Sequence, residues 1–197
     1  YAHGVYPMME QPQLQTPSSP LPFPRSYWVL EGRLLAGVYP GAADPEDAEA
    51  RLAALLNIGI RCVINLTEED EVNHIGLPLC GYAEILHDIA ARREQTVATH
   101  RFPIKDTNIP RVEEMRAILD AIDTAMRQQQ PVYLHCWGGK GRTATVVGCW
   151  LARHGMAVGD DALHAIQVFR QHDPTAQDPA PENQLQCEFV RQWPEGR

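Results

Sequence analysis

The sequence has no apolar run approaching the roughly 20 residues that a membrane-spanning helix needs. Its N-terminus lacks the basic start and apolar core of a secretory signal. Basic residues are also in deficit, with 17 Lys and Arg against 25 Asp and Glu, and the only lysines are Lys105 and Lys140. A net charge of −8 argues against a nucleic-acid partner and against an anionic membrane surface. Any anion the chain binds must therefore meet a local basic pocket inside an acidic protein. The five cysteines (Cys62, Cys80, Cys136, Cys149, Cys187) contain no CxxC pair and no zinc spacing. Several sit in apolar runs, which points to reduced thiols and a cytoplasmic location.

What is present is enough apolar sequence, over 197 residues, for one domain with a proper core. Residues 1–25 are rich in Pro and Gln and poor in charge, and read as a flexible lead-in. A Pro-rich partner ligand is the alternative, but no basic-flanked PxxP stands out. The folded domain is expected over residues 26–197. Residues 33–41 read as a strand ending at a Pro-Gly turn. Asp44-Pro45 is an N-cap followed by proline at the first helical position, with Ala48, Leu52, Leu55 and Leu56 at helical spacing behind it. Strands are expected at 61–66, 97–104 and 131–136. Helices are expected at about 82–93, from Val112 through Met126, and at 142–154, 160–171 and 181–192. Alternation of strands and helices predicts an α/β fold with a mostly parallel sheet of four to five strands flanked by helices.

The chemistry concentrates in HCWGGKGRT, residues 135–143, between a strand and a helix. Gly138, Gly139 and Gly141 permit a bend whose backbone N–H groups turn inward. With the helix N-terminus behind them, these amides make a concave anion site. The loop from Cys136 through Trp137, Gly138, Gly139, Lys140 and Gly141 to Arg142 is thus a candidate phosphate cradle. Arg142 offers a planar fork to phosphate oxygens. The same field favours the thiolate of Cys136, a nucleophile for phosphorus. His135 orients the loop by hydrogen bonds, and the Thr143 hydroxyl can donate to the sulfur and help it leave. The bland alternative is a buried apolar cysteine beside an ordinary turn. A nucleotide-binding loop is disfavoured, because Lys140 is followed by Gly141 rather than Ser or Thr.

HCWGGKGRT resembles the His-Cys-x5-Arg-Ser/Thr motif of the cysteine-based protein tyrosine phosphatase superfamily. The short chain places it near the dual-specificity branch, and the His-Cys-aromatic-Gly-Gly wording is similar to kinase-associated phosphatases. Arg-Ser-Tyr-Trp-Val and Leu-Leu-Ala-Gly look like bacterial members, and the resemblance covers residues 26–193. One departure is Ala144, where many members have glycine.

Phosphoryl transfer also needs an acid for the leaving oxygen and later a base for water. FPIKDTNIP supplies Asp106, 30 residues before Cys136, and the resemblance places the family's general acid at this position. Glu113 and Glu114 read as first-turn helix residues. The resemblance further implies a water-positioning glutamine near the last helix, with Gln186 as the choice and Gln184 as the rival. Lys140 matches a position where members acting on inositol phosphates carry lysine, whereas Trp137 stands where those members usually have another basic residue. Lys105 adds one more cation near the rim. Some relatives protect the nucleophile by a disulfide, but neither Cys62 nor Cys80 matches such a position, and Cys149 reads as core.

The implied activity is a phosphomonoester hydrolase working through phosphocysteine, with no cofactor and no metal. Phosphorylated proteins or peptides are the expected partners, with inositol phosphates or phosphoinositides as the alternative. A catalytically inactive phosphate-binding module is the reading from another class. Oligomeric state carries no sequence signal.

Overall fold

The computed structural model describes residues 19–197. Most of the Pro-rich lead-in, up to residue 18, lies outside the described residues. The elements are β1 (Ser26–Leu30), β2 (Leu34–Gly37), α1 (Pro45–Asn57), β3 (Cys62–Asn65), α2 (Ala83–Arg92) and β4 (Ala98–Arg101). They continue with α3 (Val112–Arg127), β5 (Val132–His135), α4 (Arg142–Arg153), α5 (Asp160–Phe169) and α6 (Gln184–Gln192). The sheet order is β1-β2-β5-β3-β4. β2, β5, β3 and β4 run parallel, and β1 pairs antiparallel to β2 at the edge.

Side chains alternate along each strand and so sort into two layers of core. Leu34, Ala36, Cys62, Ile64, Val132 and Leu134 face one side, where α3, α4, α5 and α6 cover them. Leu35, Val63 and Tyr133 face the other, against α1 and α2. β2, β3 and β5 are buried on both faces, which is why they read as continuous apolar runs, whereas β4 at the sheet edge is largely exposed. α4 is buried from Arg142 to Ala152. Sheet, α3, α5 and α6 surround it, which explains why its sequence lacks a polar face.

Local chemistry sets the element ends. The Asp44 side chain accepts the Asp47 backbone N–H at 2.9 Å, with Pro45 opening α1. β4 stops at Arg101 rather than near residue 104, although Phe102 and Ile104 still donate to the carbonyls of Asn65 and Leu66. α6 begins at Gln184 rather than 181, where Asn183 accepts the Gln186 N–H at 3.0 Å. β1 carries no alternation that marks it as a strand. Its pairing with β2 through Glu31-Gly32-Arg33 makes it one. Phe23, ahead of β1, is buried edge-on to Tyr133.

α4 and α6 approach so closely at Gly148 that a Cβ there would meet Val190 Cγ1 at 2.6 Å. A stiff β-branched neighbour cannot yield to it. Gly148→Ala should therefore destabilise the protein by about 1–3 kcal/mol despite alanine's helix propensity. Adding Val190→Ala should recover part of that loss, and urea denaturation of the double-mutant cycle measures it. Strictly additive effects would contradict the proposed contact.

Candidate active site

The parallel strands bring their C-terminal ends to one edge, where His135 stands in register with Gly37 of β2 and Asn65 of β3. Such an edge is where open α/β sheets place ligands. Past β5 the chain turns through residues 136–141 and enters α4 at Arg142. Neighbouring strands hold the turn: Tyr39 N–H donates to the Trp137 carbonyl at 3.0 Å, and Leu66 N–H to the His135 carbonyl at 2.9 Å. Gly139 has φ +73°, and a Cβ there would lie 2.6 Å from the backbone carbon of Gly37. Only glycine fits so tight a seat. Its N–H donates to Cys136 Sγ at 3.2 Å, and Cys136 is 2 % exposed.

Arg142, 1 % exposed, is the electrostatic centre. Its Nη1 and Nη2 donate to the two oxygens of Glu71 at 2.6 Å each, and Nη1 also donates to the Ile104 carbonyl at 2.9 Å. Nη2 lies 2.9 Å from Asp106 Oδ1. Nε is buried with no hydrogen-bond partner. Burial would lower the guanidinium's pKa, but the Glu71 hydrogen bonds and the charges of Cys136, Glu71 and Asp106 raise it overall. The Glu71 clamp fixes one edge of the fork, and the Nε edge remains for an anion in the cradle.

Glu71 had no signal that singled it out among Glu68, Glu69 and Asp70. Its loop is ordered by Leu79 N–H donating to the Glu71 carbonyl and by the Asn73 side chain accepting from Ile75 and Leu77. Arg101 holds the loop base through the carbonyls of Thr67 and Glu68.

Asp106 follows β4 on a segment tied to β3 by Phe102 N–H to Asn65 O and Ile104 N–H to Leu66 O. Its side chain is 59 % exposed. The carbonyls that follow it are held from α6: Asn183 Nδ2 donates to Thr107 O at 2.7 Å, and Gln186 Nε2 to Asn108 O at 3.2 Å. Gln186 is fully buried and packs beside Gly141, whereas Gln184 is exposed. The structure thus brings Gln186, and not Gln184, to the cradle. Thr143 Oγ1 is buried near the helix start with no hydrogen-bond partner. The sulfur accepts from the Gly139 amide, and the Thr143 hydroxyl does not make the bond to it that the sequence led one to expect.

His135 is fully buried. Its Nδ1 lies 3.0 Å from the Cys136 carbonyl, which can only accept, so Nδ1 carries the proton. Nε2 then accepts from Tyr82 Oη at 2.6 Å. Tyr82, unanticipated from sequence, is held in its phenol form by burial. Burial, offset in part by the Cys136 carbonyl and reinforced by Arg101 and Arg142, pushes the His135 pKa down to about 3.

At the rim, Lys140 Nζ is 2.7 Å from Asp178 Oδ2, and its hydrogen bond lowers the aspartate's pKa. Arg170, buried, fixes that loop through the carbonyls of Thr175 and Asp178. Trp137 packs against His74 with ring centroids 5.5 Å apart. Lys105 is exposed. Cys62 and Cys149 are buried in the core, and burial raises both thiol pKa values, Cys62 to about 11.

This fold and this Cys-x5-Arg turn are those of the dual-specificity phosphatase class. The chain belongs to the family described as polymorphic toxin system, DSP-PTPase phosphatase, whose model matches residues 40–156. It is 38 % identical over 60 residues to an uncharacterised protein of Methanocaldococcus jannaschii, covering 30 % of this chain and 38 % of that one. The chain spans well under half the length of the first curated relatives it matches. Among solved structures, Tk-PTP in its active form superposes with a TM-score of 0.61 at 24 % identity, over 87 % of this chain and 97 % of that one. PTPMT1 in complex with PI(5)P superposes with a TM-score of 0.62 at 20 % identity, over 86 % and 94 % of the two chains. Among the described residues, no helix is long and apolar enough to cross a membrane.

Two outcomes follow from this geometry. Glu71→Ala leaves the Arg142 charge buried with fewer partners, and should lower stability by about 3 kcal/mol in urea denaturation. A loss below about 0.5 kcal/mol, the size of an exposed pair, would show that the clamp does not support the fold. For His135, the unfolded chain takes up a proton below pH 6.5 that the folded chain refuses until about pH 3. Its contribution is complete above pH 6.5 and is lost as the pH falls through that window. His135→Asn should flatten the decline of stability between pH 6.5 and about 4. An unchanged slope would contradict a neutral buried imidazole.

Proposed function

We propose that this protein hydrolyses phosphomonoesters of phosphorylated proteins or peptides in two steps through a phosphocysteine. The observation that carries the reading is the shared Arg142 guanidinium, which links the Cys136 cradle to Asp106 at 2.9 Å. Cys136 attacks phosphorus, and the ester oxygen leaves with a proton from Asp106. The loop amides from Trp137 to Gly141 and the Nε edge of Arg142 hold the equatorial oxygens. Asp106 then acts as base toward water that Gln186 helps to position, and the sulfur departs as thiolate, assisted by the Thr143 hydroxyl. His135 keeps the loop in shape and stays neutral. The catalytic domain covers residues 26–197, and Phe23 and Arg25 just ahead of it pack onto the domain. A cytoplasmic location fits five free cysteines, three of them buried.

An inositol phosphate or phosphoinositide substrate is the second reading, supported by Lys140 at the rim and by the likeness to PTPMT1. The Lys140–Asp178 pair speaks against it, because the aspartate offsets the cation that would meet a further phosphate. An inactive phosphate-binding module is disfavoured by the intact Cys136, Arg142 and Asp106.

Cys136→Ser should abolish turnover of a simple aryl phosphate while leaving phosphate binding in place. Asp106→Asn should slow esters with poor leaving groups by about 100-fold or more, and activated aryl phosphates far less. Undiminished turnover by Cys136→Ser would overthrow the mechanism, and equal losses on both ester types would remove Asp106 from the acid role. Comparison of kcat/KM on phosphopeptides and on soluble inositol phosphates decides between the two substrate classes.

A further inference from the structure

Beside the cradle lies a cavity of about 310 Å³ that the mechanism does not use. Trp137 and Gly138 of the cradle loop form one wall, so cavity and cradle share a rim. Leu77, Pro78 and Leu79 form the opposite wall, with Arg25 and Arg51 contributing from the lead-in to β1 and from α1. In a chain with 25 acidic residues, this lining contains two arginines and no carboxylate.

The two arginines differ from the other cations near the site. Arg142 is clamped by Glu71, and Lys140 is paired with Asp178. Arg25 donates Nη2 to the Gly138 carbonyl at 2.8 Å, an uncharged acceptor, and its Nε is buried with no hydrogen-bond partner. Arg51 has no hydrogen bond or ion pair among the described residues. Arg25 also sits at φ +64°, a conformation L residues adopt at a cost. The backbone holds it there through Val38 N–H donating to the Arg25 carbonyl at 3.1 Å. Arg51 has no acidic partner, and Arg25 feels the charge of Asp178 without forming an ion pair with it; next to a phosphate site, the two cations complement an anion on the same substrate.

We infer that this cavity is a substrate subsite in which Arg25 and Arg51 receive a second anionic group, a carboxylate or phosphate, flanking the phosphorylated residue of a peptide. The inference rests on the phosphopeptide reading above. The shared rim places the flanking group about one to three residues from the phosphorylated one, at ~3.3–3.6 Å of extended chain per residue. The apolar walls of Leu77, Leu79 and Trp137 suit the aliphatic part of a Glu side chain or an aromatic ring carrying phosphate. Arg51 is the specificity-determining residue. Arg25 both faces the subsite and steadies the Gly138 carbonyl, so its replacement would disturb the cradle as well.

The test measures kcat/KM on a phosphopeptide with neutral flanks and on versions carrying Glu or a second phosphate before or after the phosphorylated residue. An acidic flank on one side should raise kcat/KM by about fivefold, through KM, as a partly exposed ion pair allows. Arg51→Gln should bring the acidic-to-neutral ratio to about one, and Arg51→Lys should retain most of the preference. High salt should shrink the preference in the wild type. Equal efficiency on all peptides overturns the subsite and leaves the phosphopeptide reading standing, as does a preference that survives Arg51→Gln. Turnover of aryl phosphates without turnover of any phosphopeptide sinks that underlying reading, and the subsite with it. A preference for inositol polyphosphates that Arg51→Gln abolishes assigns the arginines to another ligand class and overturns the peptide subsite.

Discussion

A guanidinium removed from water must keep its charge compensated, and much of the site's architecture answers to that demand at Arg142. The charge cannot be shed, since burial alone would never deprotonate arginine in this setting. Glu71 meets it with two oxygens, Ile104 with a carbonyl and Asp106 with a third carboxylate oxygen. The partners arrive on two segments: Glu71 on the loop after β3, and Ile104 with Asp106 on the connection from β4 to α3. One side chain at the start of α4 therefore fixes the relative position of two loops that the sheet alone would leave loosely placed.

The same clamp explains the division of labour in the cradle. A fork with five N–H groups can serve structure and ligand at once only if its edges are assigned. Glu71 takes the Nη1–Nη2 edge, so the edge bearing Nε is left without a partner for a ligand. Asp106 touches the shared corner at Nη2. An acid held at that corner is already beside any oxygen the fork would bind, which is the geometry proton transfer to a leaving group requires. α6 adds rigidity from outside, with Asn183 and Gln186 holding the carbonyls of Thr107 and Asn108.

The layered fold was legible because its signals are local. Asp44-Pro45 and the Leu52–Leu56 spacing set α1, the stripe from Met115 to Met126 set α3, and the apolar parallel strands stood out as runs. HCWGGKGRT was legible for the same reason, since the cysteine, the cradle glycines and Arg142 lie within nine consecutive residues. What stayed hidden depends on contacts across long stretches of chain. Nothing in Glu68-Glu69-Asp70-Glu71 marks which carboxylate turns inward, because the choice is made by Arg142 far along the sequence. Tyr82 is matched to His135, and Asp178 to Lys140, only once the fold has formed. β1 lacks a periodic pattern and becomes a strand by pairing with β2. Gln186 sits between these cases: its separation from Val190 by one helical turn places both on the buried face, and that phase separates it from Gln184.

A cradle made of backbone amides and one arginine recognises a phosphoryl group and is blind to what carries it. Choice among phosphomonoesters must therefore come from side chains around the cradle. On one side Lys140 is offset by Asp178, a pair whose aspartate the buried Arg170 positions through its carbonyls. On the other, Trp137 and the loop carrying Leu77 and Leu79 border Arg25 and Arg51, neither of which forms an ion pair among the described residues. The rim is thus asymmetric, compensated toward α6 and uncompensated toward α1. In an acidic protein the uncompensated side is where the potential turns most in favour of an anion, and an anion already seated in the cradle brings its neighbours to that side.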